Sequence, residues 1–253
     1  MNKIIVLGLC GALAACGGDD STDNNVSVLP DESSIYDGVY TADNGDSFFY
    51  SKKEETSFVF SPPVRDDLGT PAGSNRLISF KPVEVGKNLL KAESLAKVDT
   101  GTTSLLYLNS DIDIELFENE INIVSMAGID PDFGTEKVFY QNKRFEKLLN
   151  NQFIDIPNGV YKDFYNTDVT ISDQTTLKTI YDSERDLLCD VTMRLVKSKY
   201  YYQAHQATIE CDDTSHSING DYVGVVYAAN EQAIVALTKS DLSQTFRTSF
   251  ALN

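Results

Sequence analysis

The 253-residue chain has no tryptophan, only two histidines and four cysteines, and 21 Lys plus Arg against 38 Asp plus Glu. Each shortage excludes something. A formal net charge of -17 argues against a nucleic-acid binder, because phosphate recognition needs a basic face. It argues equally against electrostatic attachment to anionic lipid. Two histidines and no CxxC element leave little for a zinc site. The missing tryptophan weakens a carbohydrate-binding reading. No G-x-S-x-G elbow, phosphate loop, dinucleotide fingerprint or H-E-x-x-H motif is present. What remains is a hydrophobic content of 42%, enough for a core, and a length that suits one large domain or two ordinary ones.

The N-terminus reads as an address. Met1-Asn2-Lys3 supplies one positive charge, and the apolar run from Ile4 to Ala15 follows. That run is too short to span a bilayer and has the length of a signal-peptide core. It ends Leu13-Ala14-Ala15-Cys16-Gly17. Small residues just before a cysteine resemble the lipobox of bacterial lipoprotein precursors. The resemblance implies cleavage after residue 15 and a diacylglyceryl group on the Cys16 thiol. Each buried CH₂ contributes about 0.8 kcal/mol, so two or more acyl chains anchor stably. Gly17, where an aspartate would signal inner-membrane retention, implies the outer membrane. Residues 16–29 are polar and read as a tether reaching roughly 20 Å. Loss of the leader removes one lysine and no acid, for a mature charge of -18, which favours a cationic partner.

With Cys10 in the leader and Cys16 lipidated, Cys189 and Cys211 remain, in a compartment that oxidises thiols. Both lie in strand-like runs. Pairing the runs antiparallel with Cys189 opposite Cys211 sets Val191 against Ile209, Met193 against Ala207 and Arg194 against Gln206. The apolar set then falls on one face, which a one-residue slip would destroy. The expected disulfide constrains the unfolded chain by about 3 kcal/mol. Metal-binding thiolates and a redox dithiol are the weaker alternatives.

Alternating and β-branched runs dominate, separated by Asn, Asp, Gly and Ser. The expected fold is mostly β: two small antiparallel β-barrel or β-sandwich modules over 30–140 and 153–253. A helical junction over 141–152 would join them, because Phe145, Leu148 and Leu149 share one helical face in Asn142 to Asn151. One continuous two-layer β domain is the alternative. Asn44-Gly45 predicts a tight hairpin. A second hairpin about Glu118-Asn119 sets Leu116 against Ile121, Ile114 against Ile123 and Ile112 against Ser125. Three segments echo one another: Ile35 to Tyr40, Ile156 to Tyr161 and Ile218 to Tyr222. Each reads as a turn feeding a strand with a Tyr.

Candidate chemistry is sparse. Asp111, Asp113 and Glu115 line one strand face, where a solvated surface outweighs a Ca²⁺ site. Asp130 and Asp132 flank a proline in a loop compatible with a cation-binding turn. His205 is expected to face Leu195, near the apolar side of the Cys hairpin. His216 sits beside Asp213 and Ser215, but sequence neighbours rarely make triad geometry. Tyr200, Tyr201 and Tyr202 form the most unusual local run, readable as an aromatic binding tip or as a packing cluster. No metal, cofactor or catalytic residue is assigned. The sequence points to a non-enzymatic, outer-membrane lipoprotein that binds a partner, such as a cationic protein of the lysozyme kind. The alternative is a structural or assembly subunit of an outer-membrane complex.

Overall fold

Aromatic and β-branched side chains at alternating positions suit a pleated, half-buried surface, and the chain answers with strands. The structure, a computed structural model, describes residues 34–62, 64–65, 71–72, 76–92, 97–99, 104–148, 155–173, 176–183 and 187–252. No helix occurs among them. Cys16 and the expected leader and tether lie outside the described residues.

The first part of the chain contributes β1 (Gly38–Thr41), β2 (Ser47–Tyr50), β3 (Ser57–Ser61), β4 (Val64–Arg65), β5 (Pro71–Ala72) and β6 (Arg76–Phe80). There follow β7 (Val83–Glu84), β8 (Leu89–Ala92), β9 (Lys97–Asp99) and β10 (Ser104–Leu106). Three long strands, β11 (Leu108–Phe117), β12 (Glu120–Ile129) and β13 (Glu136–Lys147), complete it. Apart from the β4–β5 ribbon these form one antiparallel sheet, ordered β10-β9-β6-β3-β2-β1-β13-β12-β11-β8-β7. It curls into a half-barrel in which β13 returns to pair with β1.

The second sheet follows sequence order: β14 (Gly159–Lys162), β15 (Asp168–Ser172), β16 (Thr176–Ser183), β17 (Leu187–Lys197), β18 (Tyr201–Cys211), β19 (Gly220–Ala229), β20 (Gln232–Thr238) and β21 (Thr245–Ala251). A bridge between Asp163 and Phe250 brings its ends together into a nearly closed eight-stranded barrel. All antiparallel neighbours in this meander are local in sequence, which keeps the connections short.

Three cores result. Tyr40, Phe48, Ile78, Ile114, Ile123 and Phe145 pack inside the half-barrel. Val169, Val191, Met193, Ile209, Val235 and Phe250 fill the second barrel with side chains. Between the sheets, Val39, Phe49, Phe58, Phe60 and Leu77 meet Tyr200, Tyr201, Val225, Tyr227, Ile234 and Ala236. Strands β2 and β3 are therefore buried on both faces, and residues Glu32–Asn253 cluster as one unit.

The expected helix over 142–151 is absent where described: 142–147 is the end of β13, and 149–151 lie outside the described residues. Phe145 pairs with Ile121 and is fully buried, while its neighbours Arg144 and Glu146 face water. That period-2 pattern, reinforced by two flanking strands, overrides the weak helical face.

Both expected registers are correct up to a β-bulge. About Glu118-Asn119, Leu116 faces Ile121 and Ile114 faces Ile123; the ladder then slips, so Ile112 faces Met126 rather than Ser125. The extra residue keeps Met126 inside and Ser125 outside. Cys189, Asp190, Val191 and Thr192 face Cys211, Glu210, Ile209 and Thr208 as expected, but beyond the next bulge Arg194 faces His205, not Gln206. Gln206 takes the extra position at φ 50. Ala204, not His205, consequently faces Leu195.

The three echoed segments share a hydrogen bond. The Tyr40, Tyr161 and Tyr222 hydroxyls each donate to the carbonyl four residues upstream, on Tyr36, Pro157 and Ile218. At two of them a lysine completes the clamp. Lys147 Nζ lies 5.6 Å from the Tyr40 ring centroid and donates to the Ile35 carbonyl at 2.8 Å. Lys239 Nζ lies 5.8 Å from that of Tyr222 and donates to the Ser217 carbonyl at 2.6 Å. The opening hairpins of the two sheets also agree. Tyr40 faces Phe48 as Tyr161 faces Val169, and Thr41 faces Ser47 as Lys162 faces Asp168. In the turns, the Gly45 and Asn166 amides donate back to Ala42 and Asp163, both from positive φ, a conformation that favours Gly and Asn.

Candidate functional site

Tyr200, Tyr201 and Tyr202 are all buried. The exposed aromatic tip is thus not what the structure shows. Tyr202 points into the second barrel, where its hydroxyl accepts from the Ile156 amide at 3.1 Å. Tyr200 and Tyr201 enter the seam between the sheets, with ring centroids 6.0 and 5.0 Å from Phe49. Their hydroxyls donate to the Tyr50 carbonyl and to Glu54 Oε1, both at 2.6 Å. Further along the seam Tyr227 meets Ser47 at 3.0 Å; inside the half-barrel Tyr140 donates to the buried Asp46 carboxylate at 2.6 Å. Burial pushes the Tyr140 phenol up to about 12, against the opposing pull of the Arg76 guanidinium over its ring. This is hydrogen-bonded packing rather than an open site. The small cavity beside Tyr200, Tyr201 and Tyr227 has room for little more than water.

Asp37 is a buried carboxyl. Burial raises it, while the Lys52 amide at 2.8 Å and the charges of Lys147 and Lys199 pull the other way. A carboxyl raised in the folded state binds its proton more tightly there. Its contribution to stability is complete below the unfolded pKa and is lost as pH rises through the folded one. Asp37→Asn keeps a carbonyl oxygen for the Lys52 amide and removes that loss. Urea midpoints measured against pH are expected to coincide in acid and to separate, with the variant the more stable, just above the ordinary carboxylate range. Parallel curves would show that Asp37 ionises without penalty.

Cys189 and Cys211 form a disulfide facing the barrel interior. The histidines stand apart from each other's chemistry. His205 is exposed on the outer face and bonds Gln203 at 2.9 Å, because the bulge at Gln206 turns it outward. His216 lies in an exposed loop, where its Nδ1 accepts from the Ile218 amide at 3.3 Å. Asp213 is engaged by Ser215, whose amide and hydroxyl both donate to Oδ1 and hold the carboxyl below its usual range. The Asp-His-Ser neighbours therefore make a turn, not a triad. Asp130 likewise caps a turn, accepting from the Asp132 and Phe133 amides at 2.9 and 3.3 Å. Among the described residues no group of three or more His, Cys, Asp or Glu is placed to hold a metal.

The outer faces carry the acid. Asp111, Asp113 and Glu115 project from β11 beside buried Ile112 and Ile114. Lys91 pairs with Asp113 at 3.1 Å, and Asn122 donates to Glu115 at 3.0 Å. On the second sheet Asp190 and Glu210 oppose one another in register, both exposed, with no ion pair to either among the described residues. Asp212 and Asp221 are exposed close by, Asp221 opposite Thr208 on the same face. Like charges across a ladder are destabilising. The sequence reading set Cys189 against Cys211, and that register places Asp190 opposite Glu210. It missed the seam entirely, although the unbroken run Phe48-Phe49-Tyr50 is the composition of a strand buried on both faces.

No protein-family model matches the chain, and neither a curated protein nor a solved structure does so.

Proposed function

We propose that the chain is a lipid-anchored envelope protein whose β-sheet body serves as a non-enzymatic binding module for a cationic protein. The anchor rests on Cys16 and its lipobox-like surroundings. The binding reading rests above all on the Asp190–Glu210 pair, a like-charge opposition retained on the outer face of a chain already strongly acidic. A basic partner would neutralise that repulsion, so charge that costs the free protein stability becomes complementarity in the complex. The surrounding field also steers a basic protein toward the surface.

Lysozyme, as a basic probe protein, is expected to bind about tenfold more weakly at 1 M than at 0.1 M salt, as the screening length falls from about 10 Å to about 3 Å. Intact-mass analysis of the membrane-extracted protein should find Cys16 acylated and first in the chain. Absence of binding, or an unmodified leader, would reject the corresponding half of the proposal. A structural role in an envelope complex is the second reading. It is favoured by the edge strand β7, which exposes Val83 and carries exposed Val85 beside it, and it requires association that salt leaves unchanged.

A further inference from the structure

We infer that the cationic partner docks on an apolar patch formed by Leu108, Val138 and Phe133 and rimmed by Asp111, Asp132 and Glu136, at the end of the first sheet remote from Ser34. This rests on the binding reading above and adds to the acidic Asp190–Glu210 surface of the second sheet a separate apolar contact on the first.

The three apolar residues are 48%, 56% and 78% exposed. Leu108 and Val138 lie in adjacent rows of one sheet face, on either side of β12. Leu108 faces half-buried Ile129, which faces Glu136; in the next row Asp111 faces Ala127, which faces Val138. Phe133 sits in the turn joining the same two strands, β12 and β13. Two bulges, at Leu108/Asp111 and at Met126/Ala127, break the alternation here. Bulges re-aim side chains, and these leave Leu108 and Val138 facing outward. The turn itself is set by the Asp130 carboxylate capping two amides, so its geometry makes no demand for an aromatic at 133. An apolar centre with a charged rim is the anatomy of a protein interface, with the apolar residues as anchors and the rim setting specificity.

Charge selects the occupant. The exposed rim members Asp111, Asp132 and Glu136 are all acids. Lys137, between Glu136 and Val138 in the chain, is drawn to the other face, 6.0 Å from the Tyr107 ring centroid. Two copies of this patch face to face would bring acid against acid, whereas a surface with apolar side chains among lysines or arginines complements it. Ile35 is held by Lys147 at the far end of the 12-residue strand β13, roughly 36 Å from Glu136.

Two synthetic peptides of equal positive charge test this on the full-length protein: one alternates lysine with leucine, the other lysine with serine. The lysine–leucine peptide is expected to bind at least about tenfold tighter. Phe133→Ser combined with Val138→Thr should abolish that advantage while leaving lysine–serine binding intact. Val160→Thr, at an exposed apolar site on β14, should change neither. A photo-crosslinker on the lysine–leucine peptide should label β11, the 130–135 turn or β13, a readout that does not depend on the variants. Equal affinities, labelling elsewhere, or a salt-independent dimer that the double variant dissolves would overturn the docking surface and leave the charge reading standing. Failure of both peptides to bind would end both.

Discussion

Phe49→Ala is expected to lower the unfolding free energy by about 3–5 kcal/mol, the cost of truncating a fully buried aromatic whose site cannot collapse. Phe49 is 0% exposed at the middle of the seam. Its ring centroid lies 5.0 Å from that of Tyr201, 5.4 Å from Tyr227 and 6.0 Å from Tyr200. Collapse is blocked on every side. Tyr200 and Tyr201 are tied by their hydroxyls to Tyr50 and Glu54, and Tyr227 to Ser47. The cavity would therefore persist, and the polar partners around it would lose the packing that excludes water. Each sheet has its own interior, so loss of the seam should also divide one urea transition into two, the second barrel unfolding last because its disulfide remains. A single transition shifted by less than about 1 kcal/mol would place the site among ordinary surface substitutions and show that the sheets do not depend on each other.

The same seam explains what could be read from sequence and what could not. Alternation reports which residues face one side of a strand, so the Cys189–Cys211 register was legible over four pairs: one choice puts Val191 and Ile209 inside together. Bulges are invisible to it, because a single extra residue obeys the pattern on both sides of itself. That is why His205 and Ser125 were each assigned to the wrong face. The helix expectation failed for a different reason. Phe145 fits a helical stripe and a strand equally well, and only its partners Ile121 and, nearby, Tyr40 decide between them. The seam joins Phe49 to Tyr227, residues of different sheets and far apart in sequence, and no local pattern encodes that meeting. The tyrosine run shows the limit most clearly: its composition allowed an exposed tip or a packed cluster, and the answer lay in where β2 happened to pass.

Removal of the disulfide should cost about 3 kcal/mol in the loop-entropy account, given a separation of 22 residues. Cys189→Ala with Cys211→Ala suits the site, since both side chains face the apolar barrel interior and alanine leaves no buried hydroxyl unsatisfied. Mild reductant on the wild type should lower the urea midpoint by nearly the same amount, because either treatment releases the same unfolded chain. The β17–β18 ladder continues through Leu195 and Ala204, so the folded state should keep its registers and its far-ultraviolet spectrum. A loss below about 1 kcal/mol would mean that the unfolded chain already holds this hairpin closed. The cross-link sits at the Cys211 end of β18, whereas Tyr201 joins the seam at the other end, ten residues and roughly 33 Å away. Sites so separated act independently. The effects of Phe49→Ala and of the double cysteine variant should therefore add: the seam holds the two sheets together, and the disulfide holds the barrel end that the seam does not reach.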